Sequence, residues 1–117
     1  MPTQSQMSKT YYKIVDMDSD GQLKALFHGV NRSKILARDV WLEAEIKPVS
    51  DGPNGTVYFS GWHIMPSAEE CIEYLTKFKQ VENKVIVSCE AEELWPKEHS
   101  PSNVFLARRI KILDIVT

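Results

Sequence analysis

Three histidines hold most of the reactive chemistry of this 117-residue chain. His28 stands in "FHGVN", His63 in "GWHIMP" and His99 in "KEHSPSN", so each falls where a strand-like run gives way to a loop. Loops at strand ends present functional groups on a rigid support, and Gly29, Gly61 and Pro101 beside them would admit close approach of a ligand or another backbone. An imidazole so placed could transfer a proton, bind a metal or contact an anion. It could equally be satisfied by a backbone hydrogen bond and do nothing more. Arg108 adds a cation, because strand alternation puts it on the side of Val104, Leu106, Ile110 and Ile112. A guanidinium pointing with apolar side chains must be paired, with Glu90 or Glu92 for example, or must face a cavity. Together with Asn31, Arg32, Trp62 and Lys97, these residues make a loop-end set suited to an anionic ligand.

Other chemistries lack their patterns. Zinc would need converging ligands, and the chain has no H-x-H, H-E-x-x-H or C-x-x-C spacing. The Asp16, Asp18, Asp20, Gly21 series begins like a calcium loop, but Phe27 stands where a bidentate Glu belongs and the flanks read as strands. No G-x-S-x-G elbow or glycine-rich phosphate loop is present. Cys71 and Cys89 fall on apolar faces and read as buried, inert thiols. No metal and no cofactor are expected.

The elements that must position the set follow from periodicity. "YYKIV" and "LKALFHGV" read as two strands joined at Asp20-Gly21, a dipeptide that tolerates a tight hairpin turn. "VWLEAEIK" alternates with Val40, Leu42, Ala44 and Ile46 inward. Asn54-Gly55 marks a second turn before "VYFSGWHI", read as one strand. Ser67 and Glu70 form an S-x-x-E capping box, and Ala68, Cys71, Ile72, Leu75 and Phe78 give an apolar stripe for a helix ending near Lys79. "KVIVSCEA" and "VFLARRIKILDIV" supply two more strands. The order predicts an α+β domain, with a mostly antiparallel sheet and one principal helix over about residues 67–79. Residues 1–9 read as a polar tail and 10–117 as a single domain.

Composition bounds the partners. Hydrophobic residues are 43% and charged residues 26%, as in ordinary globular proteins, and the net charge is only -2. No global field draws the chain to nucleic acid or to a membrane, and no apolar run approaches the length of a membrane span. Two Cys without a secretory leader predict a reducing, cytoplasmic location. Trp41 and Trp95 fall on the polar side of their local patterns, where an exposed indole would mark an oligomer interface.

Taken in order, "YYKIV", "WLEAEIK", "GWHIMPSAEECIEYL", "VIVSCEA" and "VFLARRIKIL" resemble a group of small uncharacterised bacterial and phage proteins. Those share an early Y-K strand, a G-x-H-x-x-P-[ST]-x-E-E helix start and a terminal strand with an A-R pair. The resemblance implies a phage or bacterial origin, hence the host cytoplasm if phage-encoded, and carries over no established activity. A looser likeness is to the ADP-ribosyltransferase-like fold, with Glu90-Ala91-Glu92 in place of its E-x-E pair but with no S-T-S stretch. The function expected is a small non-enzymatic binding protein that captures a nucleotide-like anion or a host protein, a role that would suit antagonism of host defence. The alternatives are a small enzyme using His63 or His99 as general acid or base on a nucleotide or phosphodiester, and an oligomeric interaction protein.

Overall fold

The structure, a computed structural model, describes residues 9–25, 35–51, 56–77, 82–97 and 103–116. The expectations for residues 1–8 of the tail and for His28, Asn31, Arg32 and His99 lie outside the described residues.

The Asp20-Gly21 turn joins β1 (Tyr11–Met17) to β2 (Leu23–Lys24) in antiparallel register. Gly21 takes φ +83°, a conformation that L side chains resist. Asp18 closes the turn from inside, its Oδ1 accepting from the Gln22 and Asp20 backbone amides at 3.0 and 2.9 Å. Those bonds, that to Gln22 first, hold its carboxyl below the ordinary range. The acidic run that begins like a calcium loop is thus used to fold a hairpin.

The main sheet has six strands, in the order β2-β1-β7-β8-β3, with β6 also on β8. β3 is Trp41–Glu43, β6 Trp62–Ile64, β7 Lys84–Pro96 and β8 Phe105–Ile115. One edge of β8 is taken by β7; the other is shared, with β6 on residues 105–107 and β3 on 109–111. Beyond β6, Met65 exchanges two 2.8 Å backbone hydrogen bonds with Tyr12 of β1. Pairing therefore runs from β1 to β7, β8, β6 and back to β1, and the sheet closes on itself at this end. Closure removes exposed backbone edges and encloses a core of Val15, Trp62, Ile64, Val87, Cys89, Ala107, Ile110 and Ile112, among others.

Membership of that core exposes a fault in simple alternation along β8. Ala107 lies in it, and so do Ile110 and Ile112, so the inward parity changes between residues 107 and 110. β7 changes at the same level, from Cys89 and Ala91 to Leu94. Glu92 pairs with Arg109 and Leu94 with Ala107, but the intervening pair, Glu93 with Arg108, is missing from the ladder, and Glu93 has φ +56°. Arg108 is consequently exposed, not aligned with the apolar residues. The paired guanidinium is that of Arg109, 2.8 Å from Glu43 and 2.9 Å from Glu92.

Two other expected strands are cut short. Val40 is 47% exposed because Asp39, with φ +63°, turns the chain before β3 begins. "VYFSGWHI" is two strands: β5 (Thr56–Phe59) pairs with β4 (Pro48–Asp51) in a separate two-stranded sheet, and β6 joins the main one. Ser60 makes the break. Its Oγ donates to the Glu45 carbonyl at 2.6 Å and accepts from the Lys47 amide at 3.0 Å, while its own amide donates to the Lys47 carbonyl at 2.9 Å.

Helix α1 (Ala68–Leu75) starts at Ser67, whose Oγ accepts from the Glu70 amide and donates to the Glu70 carboxylate. It stops at Thr76, short of Lys79, where the threonine hydroxyl and amide both turn back onto the Glu73 carbonyl. Cys71, Tyr74 and Leu75 pack it on a second core with Ile14, Met65, Ile86 and Val104, whereas Ile72 of the expected stripe is 51% exposed. Both thiols are free and buried. Burial raises the Cys71 pKa to about 11 and that of Cys89 to about 12, so both stay protonated and unreactive at neutral pH.

Candidate functional site

Cross-strand register gathers one cluster on the side of the sheet opposite the enclosed core. His63 of β6 and Trp95 of β7 both pair with Leu106 of β8, and cross-strand partners share a face. Gly61, just before β6, lets Trp95 lie down here: a Cβ at Gly61 would stand 3.2 Å from two indole carbons and 3.0 Å from the Ala107 carbonyl oxygen. Trp95 therefore caps the sheet. From the separate hairpin, Tyr58 meets His63 edge to face, with centroids 6.2 Å apart at 90°. Lys97, just past β7, places Nζ 4.9 Å from the Tyr58 ring centroid.

The opposite face supplies an unusual cation. Lys13 of β1 is only 6% exposed, and its Nζ donates to the His63 carbonyl at 3.0 Å and lies 5.5 Å from the Trp62 ring centroid. No carboxylate pairs with it among the described residues, and desolvation lowers its pKa to about 8, with Cys89 and Cys71 opposing weakly. Beyond the Tyr12–Met65 bonds the two strands part, and the Lys13 amine fills the gap by taking the His63 carbonyl.

His63 feels both lysines. Part of the residue reaches solvent, yet its imidazole is desolvated enough that the pKa falls to about 3, burial acting first, then Lys13 and Lys97, while a hydrogen bond to the Gly61 backbone opposes them. The ring is therefore neutral throughout the physiological range. Such a group has no proton to donate near pH 7 and is a weak base.

The residues singled out from sequence separate. His63 and Lys97 come together around Tyr58. Trp62 is a core residue, 1% exposed, with Nε1 donating to the Leu42 carbonyl at 2.9 Å. Arg108 is exposed at the point where β8 exchanges β6 for β3. Arg38, shortly before β3, gives its guanidinium to the Leu113 carbonyl and Asp114. Trp41 is 39% exposed beneath Lys111. Sequence reasoning missed Tyr58 and Lys13. The signal for Lys13 was there, because it shares parity with Val15 in an apolar run; Tyr58 had none, since a single strand through residue 64 gave no reason to fold it back.

A depression of about 480 Å³ lined by Met17, Asp18, Ser19, Glu82, Asn83 and Val85 is bordered by carboxylates, one of them already occupied in the turn. Among the described residues no helix is long and apolar enough to cross a membrane. Comparison of the chain with models of protein families, with curated proteins and with solved structures yields no match.

Proposed function

We propose that this chain is a non-enzymatic binding domain for a nucleotide-like anion, taken at the surface formed by Tyr58, His63 and Lys97. The observation that supports this most is the placing of two lysines about His63, Lys13 with Nζ 3.0 Å from its carbonyl and Lys97 with Nζ 4.9 Å from the centroid of the Tyr58 ring that packs on it. Tyr58 holds Lys97 over its ring, so an aromatic group and a cation for a phosphate stand at one place. Catalysis by His63 is the weaker reading, because an imidazole kept neutral down to about pH 3 is poorly matched to acid–base work near neutrality.

Thermal unfolding against a panel of nucleoside mono-, di- and triphosphates, with inorganic phosphate as control, tests it. A binder raises Tm in proportion to the logarithm of its concentration. Lys97→Gln and Tyr58→Leu should each abolish that rise in a protein that still melts cooperatively. If no nucleotide moves Tm at millimolar concentration, the proposal is wrong.

A further inference from the structure

The two-stranded hairpin stands apart. Among the described elements β4 and β5 make close backbone contacts only with each other, whereas all the others pack against the main sheet or the helix. A lone two-stranded hairpin is marginal in water, and its outer face leaves Val57 63% and Phe59 58% exposed. Its base is clipped by the Ser60 hydrogen bonds to Glu45 and Lys47. Beyond that clip, Tyr58 ties it to the main sheet, laid against His63 with Lys97 at its ring.

We propose that the β4–β5 hairpin is an acid-released flap, hinged at Lys47 and Ser60 and let go when His63 takes up a proton. The groups around His63 are Lys13 from β1, Lys97 after β7, Tyr58 from β5, and the uncharged Leu106 of β8 and Gly61 of its own segment. An imidazolium there is desolvated between two ammonium groups. Lifting Tyr58 admits water to the ring without breaking any pairing of the main sheet, so the flap is the least costly element to move. The sign follows from the lowered pKa: the closed form binds the proton less well than the open one, so opening gains as pH falls from 6.5 towards 3. Between pH 7 and pH 5 the open-to-closed ratio should rise by this linkage, by at most roughly 25-fold, since Lys13 and Lys97 stay with the main sheet when the flap lifts. The release needs no bound ligand and stands whether or not the surface takes a nucleotide.

Nuclear magnetic resonance between pH 7.5 and 4.5 reads both parts. The cross-relaxation between the Tyr58 and His63 rings should fade as His63 titrates, while the shifts of β7 and β8 amides keep their native dispersion. His63→Gln should remove the pH response of Tyr58. Lys13→Met, which takes away one neighbouring charge and leaves Tyr58 untouched, should raise the closed-state pKa of His63 and so reduce the overall extent of the acid response. The inference is overturned if the ring contact survives to pH 4.5 in a folded sheet, if it is lost only together with the β7–β8 shifts, or if both variants respond as the parent does.

Discussion

At the residue scale, Lys13 is a cation that folding must take out of water. Its pKa of about 8 against an ordinary 10.5 means that folding opposes the ammonium form, and that difference corresponds to about 3 kcal/mol. The penalty is complete below pH 8, shrinks between pH 8 and 10.5 as the unfolded chain also loses its proton, and is absent above. Lys13→Met keeps the length and removes the charge at the loss of one hydrogen bond to the His63 carbonyl, so a net gain of about 1–2 kcal/mol is expected at pH 7. Urea denaturation at pH 7 and pH 10.5 checks this: the gain should be present at the first and gone or reversed at the second. A cation kept in the core against its own cost is the kind of local inconsistency that accompanies function.

At the element scale, the break at Ser60-Gly61 decides the geometry of the candidate site. It sends β5 out to the hairpin and β6 into the sheet, which is how Tyr58 comes back over His63. Gly61→Ala would put a Cβ 3.0 Å from the Ala107 carbonyl oxygen and 3.2 Å from the Trp95 ring. The carbonyl belongs to a central strand and cannot yield, so a loss of about 1–3 kcal/mol is expected, measured as a fall in Tm together with a change in Trp95 fluorescence. This break is also where legibility ran out. The Asp20-Gly21 turn, the Ser67 cap and the strand-rich α+β class follow from local chemistry that acts within a few residues. The division of "VYFSGWHI" depends on hydrogen bonds from Ser60 to residues 45 and 47, and the parity change at Arg108 depends on Glu93 across the ladder. Neither partner is adjacent in sequence, so alternation alone predicted a continuous strand and an inward Arg108. His63 and Lys97 could be picked out as polar residues at loop ends, but their meeting around Tyr58 required the fold.

At the scale of the whole molecule, the closed circuit of β1, β7, β8 and β6 joins distant parts of the chain: Tyr11 faces Cys89, and Tyr12 bonds Met65. Contacts so far apart in sequence slow folding, because loop-closure entropy is lost before pairing rewards it. Refolding from urea should therefore take roughly milliseconds to seconds. Stopped-flow fluorescence of Trp62, buried at 1% in the native core, would follow it. Recovery of the full native signal within microseconds would contradict the circuit as the rate-determining feature.

The same circuit sets an order of events during translation. β1 leaves the ribosome long before β7, and synthesis at roughly 5–20 residues per second leaves Ile14 and Val15 without their cross-strand partners Ile86 and Val85 for several seconds. The nascent chain thus offers an apolar segment to the exit-site chaperones, and how quickly the later strands are translated governs how long that segment needs shelter.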